Sequence, residues 1–372
     1  MNIEIKEVTT KGDLKNFIHA PWKLHKGHEL WAPPLLMDEW TFFSPKKNRN
    51  FAHSDTIMLL AYKGSEISGR VMGIVNNKYN KEAGETTARF GYLEADDDMA
   101  TVRALLERVE TWAKGLGMNK IVGPMGFTDQ DPEGFIVEGF EGEPTIATYY
   151  NWHYIPKHVE SHGYTKEVDY FSYQIDATKP YPSIYDKVIE RSKKNGYRLI
   201  EFKSTKQMKP LIIPILSLMN DAFAPHIYGY VRLEEKEMHD LANRYLPVLD
   251  PRFVKVCMKE DEVVGFIIAI PNMDSGFRKA NGKLLPFGIL HLMNAAKKTK
   301  QLDLLLGAIK DTERGRGVDA IMGKAMHDSA RNAGMTVIDS HVELESNVKV
   351  RAEMERAGGK VFRRYRIFKK PL

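Results

Sequence analysis

One local grammar occurs once in each half of this chain, and it limits the fold to a pair of similar units. In the first half a strand-like run, Thr56–Tyr62, meets a polar turn, Lys63-Gly-Ser-Glu-Ile67, and then a second run, Gly69–Val75. In the second half Phe253–Met258 meets Lys259-Glu-Asp-Glu-Val263 and then Gly265–Ile270. Both read as strand, turn, strand. Further on, an amphipathic helix over Ala104–Lys114 stops at Gly115 or Gly117 before Met118–Val122, and Gly323–Asn332 stops before Gly334–Ile338. Each half closes on a helix running into Gly163-Tyr164 or Gly358-Gly359, then an aromatic strand, Tyr170–Ile175 or Tyr365–Phe368. Asp176–Ser183 has the composition of a linker. A chain of 372 residues exceeds the usual span of one hydrophobic core. The reading is an α/β fold (α+β by some schemes) in two domains, 1–178 and 179–372.

Composition narrows the class. The net charge of +5 fits an anionic substrate or cofactor, and also a weak membrane-surface contact. No RNA-recognition, zinc-finger or basic-zipper signature points to nucleic acid. A single cysteine, Cys257, rules out a disulfide within the chain and favours a reducing cytoplasm. It lies in a strand-like run and reads as a small core residue. The N-terminus lacks a signal-peptide pattern. The longest apolar runs, Val263–Ile270 and Leu211–Met219, fall well below the ~20 residues of a membrane span. Peripheral membrane contact is compatible with this; a crossing is not. Nothing in the sequence bears on oligomeric state.

The chemistry concentrates in Lys310-Asp-Thr-Glu-Arg-Gly-Arg-Gly317. Before it, Leu302–Ile309 reads as a buried strand. After it, Val318–Asn332 carries apolar residues at near-helical spacing. A glycine-rich turn from strand to helix can point several backbone N–H groups at one anion, a pyrophosphate for instance. The matching position of the first half reads Glu94-Ala-Asp96-Asp97-Asp98. Acids there suit the helix dipole but repel a pyrophosphate, at about 1–4 kcal/mol per like-charge pair.

The run Arg314-Gly-Arg-Gly317-Val-Asp319 resembles the Arg-x-x-Gly-x-[Gly/Ala] motif of the GNAT acyltransferases, departing from it at Asp319. The resemblance implies two tandem GNAT-like domains, each a mixed, mostly antiparallel sheet flanked by helices. It also implies acetyl-CoA or a longer acyl-CoA as co-substrate. The pyrophosphate would then lie on Arg314, Gly315, Arg316, Gly317, Val318 and Asp319, below the strand end at Ile309. Asn347 would either touch coenzyme A or cap the next helix. Asn50-Phe-Ala-His53, Gly123-Pro124, Tyr150-Asn151, Leu344-Glu-Ser-Asn347 and Arg364–Phe368 resemble, over nearly the whole chain, bacterial two-domain proteins of this fold. Some GNAT-related bacterial proteins acylate long-chain amines in sphingolipid synthesis. The implied activity is N-acyl transfer, with acetyl first in view, to a small-molecule amine or a lipid amine. A non-catalytic binding protein is the other reading.

Acyl transfer to an amine requires a base. Continued strand alternation past Met335–Ser340 would set His341, Glu343 and Glu345 on one face, as a base or as a solvated edge. Tyr365 is either the acid for the leaving thiolate or a core aromatic. Tyr150, Asn151, His226 and Tyr228 are the acceptor-pocket candidates, and no ligand spacing suggests a metal.

Overall fold

The computed structural model describes residues 2–246 and 248–372. The chain forms two compact units that do not follow the order of the sequence. The first comprises Met1–Tyr170, Met273–Ala295 and Arg363–Leu372, and the second Phe171–Asn272 and Ala296–Phe362. Against the expected 1–178 and 179–372, two segments of the second half of the sequence thus pack with the first unit.

The first unit starts with β1 (Ile3–Glu7), α1 (Lys11–Leu24), α2 (Leu36–Phe42), β2 (Ser54–Lys63), β3 (Glu66–Asn76) and α3 (Asn77–Ala83). It continues with β4 (Thr87–Ala95), α4 (Met99–Gly115), β5 (Lys120–Gly123), β6 (Phe135–Glu138), α5 (Ile155–Ser161) and the opening of β7 (Thr165–Asp176). The second unit takes the rest of β7, then α6 (Asp186–Lys194), β8 (Tyr197–Glu201), α7 (Thr205–Met208), α8 (Ile212–Phe223), α9 (Glu235–Tyr245), β9 (Val254–Lys259) and β10 (Glu262–Pro271). α10 (Asp274–Ala280) and most of α11 (Gly288–Lys298) belong to the first unit. β11 (Gln301–Ile309), α12 (Val318–Asn332), β12 (Val337–Asp339), β13 (Glu343–Leu344) and α13 (Val348–Arg356) complete the second. The last strand, β14 (Lys360–Pro371), belongs to the first unit from Arg363 onward.

Strand order in the first unit is β1-β2-β3-β4-β5-β14, with β6 also on β14. In the second it is β8-β9-β10-β11-β12-β7. The repeated strand-turn-strand reading corresponds to the hairpins β2-β3 and β9-β10. In each unit one neighbouring pair is parallel, β4 with β5 and β11 with β12, and a helix makes the crossover.

The helices follow their apolar spacing. α4 buries Val102, Leu105, Leu106, Val109 and Ala113 against Leu59, Val71 and Phe90. α1 covers the opposite face through Phe17 and Ile18, against Leu60 and Met72. In the second unit α8 covers one face through Leu216 and Met219, and α12 the other through Ile321 and Met322. Cys257 is buried beside α12 as a core residue, and burial pushes its thiol up to about 11. No helix among the described residues is long and apolar enough to cross a membrane.

Candidate functional site

The second unit holds a splayed pair of parallel strands. β11 and β12 pair only over Gln301, Leu302 and Asp303 against Val337, Ile338 and Asp339. β11 then runs on to Ile309 with β12 gone from its side. The last rung sets Asp303 opposite Asp339, both fully buried. Asn272 and Gln301 donate to Asp303 at 2.9 and 2.8 Å, and Ser172 Oγ donates to Asp339 at 2.8 Å. The parallel pairing ends at these two buried carboxyls. One residue beyond Ser340 the chain turns: His341 has φ +61°, and its N–H donates to the Asp339 carboxylate at 3.1 Å. The expected alternation through His341, Glu343 and Glu345 therefore fails, because a positive φ breaks the strand.

β11 also carries an irregularity that the sequence did not announce. Its register with β10 shifts between Ile268, opposite Leu306, and Ala269, opposite Leu304, so Leu305 is the extra residue of a bulge. Leu304-Leu305-Leu306 has no glycine or proline to mark it.

Below β11 lies the Lys310–Gly317 loop. Gly315 and Gly317 both have left-handed backbones, φ +72° and +83°. At Gly315 a Cβ would meet open space. At Gly317 it would fall 2.3 Å from Ser192 Oγ and 2.7 Å from Val188 Cγ1, so α6 permits only glycine there. Ser192 Oγ also donates to the Arg316 carbonyl at 2.7 Å, tying the loop to α6. α12 has no side-chain cap, and the first of its amides bonded within the helix end is Ile321, which donates to Gly317 at 3.1 Å. The N–H groups of Gly315, Arg316, Gly317, Val318, Asp319 and Ala320 donate to no acceptor among the described residues. A continuous row of open amides at a helix start is suited to an anion.

The side chains around that row are balanced. Arg314 Nε lies 2.9 Å from Asp311, Arg316 Nε 3.7 Å from Glu313, and Lys310 Nζ 2.5 Å from Glu262. The amides, rather than a surplus of arginine, thus carry the anion preference. Asp319, the residue that departs from the motif, lies near enough to Tyr181, Tyr185 and Glu353 for its charge to add to the upward shift that burial gives each of them. The Val318 side chain is buried in the core against Gly265, leaving its N–H as the group that can serve a ligand. Ile309 ends β11 opposite Gly265. Asn347 forms no cap on α13 with its side chain, so the capping alternative does not apply.

Glu343 sits in the short β13 with no ionic partner among the described residues, and burial pushes its carboxyl up to about 8. A carboxyl poised near neutrality is suited to exchanging protons. Glu345 is half-buried, and its carbonyl accepts from Arg351 at 3.1 Å. His226, in the turn after α8, reaches the loop: its Nε2 lies 3.6 Å from Asp311. Tyr228, two residues on, is half-buried. This meeting of the α8 turn with the 310–317 loop had no signal in the sequence.

The other expected site residues fall in the first unit. Tyr365 has no exposed surface, and its hydroxyl meets Thr148 at 3.1 Å and Arg363 at 3.5 Å. It is a core aromatic here, with no opening through which to protonate a thiolate. Asn151 spends its side chain on backbone, accepting from Ile136 N and donating to Trp152 O. Tyr150 is buried, donates to the Phe140 carbonyl, and lies under the Arg363 guanidinium. Both hold the fold rather than a substrate.

The first unit has the same splay, but its own chain fills it. β4 and β5 pair only from Thr87 to Arg89. Beyond that, Met125 N donates to Phe90 O at 2.9 Å, and Tyr92 N donates to Tyr149 OH at 2.9 Å. A Cβ on Gly91 would sit 2.6 Å from the Met125 carbonyl, so the plug depends on that glycine. At the helix start, Asp98 accepts from Ala100 N at 3.0 Å, and Lys63 holds Asp96 and Asp98 at 2.7 Å each. Here the Asp96, Asp98, Ala100 and Thr101 N–H groups each donate to an acceptor of the same unit. Among the described residues no cluster of three or more His, Cys, Asp or Glu is placed to hold a metal ion.

A splay between parallel strands in each unit, with a glycine loop and helix below one of them, is the pattern of a tandem GNAT fold. Solved structures agree. A tandem GNAT protein from the clavulanic acid biosynthesis pathway aligns over 100% of this chain and 98% of its own, with a TM-score of 0.56 at 11% identity. A GCN5-related N-acetyltransferase from Sphaerobacter thermophilus aligns over 99% and 95%, with a TM-score of 0.55 at 11% identity. Among characterised sequences, the chain is 28% identical over 378 positions to the bacterial ceramide synthase of Caulobacter vibrioides, covering 100% of this chain and 98% of that protein. It is 24% identical to protein YghO of Escherichia coli, covering 99% and 95%. No family model matches the chain.

Proposed function

We propose that this protein is an acyl-coenzyme-A-dependent N-acyltransferase of the cytoplasm whose acceptor is a long-chain lipid amine. The observation that carries the acyl-transfer reading is the row of open amides from Gly315 to Ala320 below the splayed β11. In this reading the amides hold the pyrophosphate of the thioester, and the free side of β11 from Leu304 to Ile309 receives its extended arm. Glu343 accepts the proton of the attacking ammonium. The freed amine nitrogen bonds to the thioester carbonyl carbon, the carbon–sulfur bond breaks, and the nitrogen's surplus proton passes to the departing thiolate, so coenzyme A leaves as the free thiol. The first unit, with its splay filled, serves as support.

The acceptor class rests on full-length similarity to a protein named as a ceramide synthase. It moves the emphasis from acetyl to longer acyl groups. The experiment is thiol release on mixing the protein with acetyl-CoA or palmitoyl-CoA and sphinganine or a short alkylamine. Its only cysteine is buried, so the thiol reagent reads coenzyme A. Release that needs both palmitoyl-CoA and sphinganine is expected. Turnover of acetyl-CoA with short amines alone would overturn the lipid assignment, and no turnover or thioester binding would overturn the transferase.

A further inference from the structure

The segment around α11 exposes large apolar side chains without a cover. Leu285, Phe287, Ile289, Leu290 and Met293 are between 46% (Ile289) and 74% (Leu285) exposed. All fall within nine consecutive positions, and Ile289, Leu290 and Met293 recur at helical spacing on one face of α11. The opposite face is fixed: Ala295 is buried, and Gly276 of α10 approaches so closely that a Cβ there would sit 2.9 Å from Ala295 Cβ. The preceding turn is fixed too. Gly282 O accepts from Leu36 N at 2.9 Å, and Asn281 accepts from Trp22 Nε1 at 2.8 Å. The apolar face is therefore held outward by the body of the first unit.

Charge singles out the occupant. From Ser275 to Leu302 the chain contains no acidic residue. Lys279 and Lys283 precede the apolar face and Lys297 and Lys298 end α11, all four exposed. Large apolar side chains flanked by exposed lysines are suited to an interface in which hydrocarbon lies beneath negative charge. Lysine stems can lie along the apolar layer while their ammonium groups reach the headgroups. A protein partner would need both an apolar socket and an acidic rim; an anionic bilayer offers both at every point.

The geometry points to residues 279–298 as a docking surface for an anionic lipid bilayer, with Leu285, Phe287, Ile289, Leu290 and Met293 inserted and the lysines on the headgroups. This surface does not depend on the acyl-transfer reading and stands or falls separately from it.

The test is flotation of the full-length chain with vesicles of phosphatidylcholine alone or mixed 3:1 with phosphatidylglycerol. The chain should float with the mixed vesicles, and less so as salt rises. Leu285→Ser with Phe287→Ser should lower partitioning to both vesicles by about tenfold or more per side chain. Lys283→Glu with Lys297→Glu should remove the preference for the anionic vesicles, by about fivefold or more per lysine. As a second readout, a polarity-sensitive dye on Leu290→Cys should shift to the blue with mixed vesicles. The same dye on Met99→Cys, 51% exposed at the start of α4 on the opposite face of the first unit's sheet, should not. A wild-type chain that floats with neither vesicle, variants that float like the wild type, or dyes that respond alike would overturn the proposal. So would self-association without lipid that the serine pair abolishes, since a second copy would then cover the face.

Discussion

Replacing Glu343 by Gln separates chemistry from stability at one position. Burial alone raises this carboxyl from its ordinary 4.5 to about 8. A carboxyl whose folded pKa lies above its unfolded value binds its proton more tightly in the native state. Its contribution is thus fully retained below pH 4.5 and lost as pH rises through 8. Over that window the full shift corresponds to at most about 5 kcal/mol, of which up to about 3 kcal/mol falls between pH 6 and pH 9. Glu343 keeps some exposed surface, so about 1–2 kcal/mol between those two pH values is the working figure. Gln cannot ionise and escapes this loss. Urea unfolding at pH 6, 7.5 and 9 should show the variant gaining on the wild type as pH rises. Comparison at each pH cancels Glu133 and Glu39, which burial raises to about 8 and about 7 and which are present in both proteins. Activity should move the other way. Wild-type kcat/KM should climb with pH through about 8 as the base is freed, and the variant should fall by about 10²–10⁴-fold. A variant as active as the wild type, or a stability difference flat in pH, would refute the assignment of Glu343 as a buried base.

Gly317→Ala and Gly315→Ala form a matched pair: both force alanine into a left-handed backbone, but only the first drives a Cβ into α6. Urea unfolding should show a loss of about 1 kcal/mol at Gly315 and about 2–3 kcal/mol at Gly317, and equal losses would contradict the packing account. Tyr365→Phe should leave thiol release within about twofold of wild type and cost about 1 kcal/mol of stability through its lost hydrogen bonds; a collapse in kcat with the fold intact would restore it as the acid. Asp98→Ala should cost about 1 kcal/mol by uncapping α4 without altering thioester binding by calorimetry, whereas an effect on binding would give the first unit a cofactor role.

The sequence carried the hairpins because alternation and turn residues are local signals, as in Lys63–Ile67 and Lys259–Val263. It carried the 310–317 loop for the same reason: two glycines with arginines between an apolar run and a helix leave few options. It could not carry unit membership. β14 reads as a strand from Lys360 to Pro371, but nothing in its alternation says that Phe368 pairs with Gly123. The base was legible only in part. Glu343 emerged from an assumed strand period that His341 breaks, and its environment, not its spacing, makes it a candidate. Tyr150 and Asn151 misled because aromatic and amide residues that brace a backbone look the same in sequence as those that line a pocket. The plug of the first splay was not legible either. Gly91 is fixed by the approach of the Met125 carbonyl, a constraint visible only once the two are seen together.

The arrangement of β14 sets a schedule for biosynthesis. During translation the first half of the chain emerges complete in sequence yet lacking the strand that pairs with β5 and β6. Until Arg363–Leu372 leaves the ribosome, the outer side of β5 stays an open edge, the kind of surface that invites pairing with other chains. A gene fragment ending at the linker would make that delay permanent. Fragments cut there should therefore aggregate, and supplying the missing strand as a separate peptide should rescue their solubility. The first unit thus completes its sheet only when the last residues of the chain arrive.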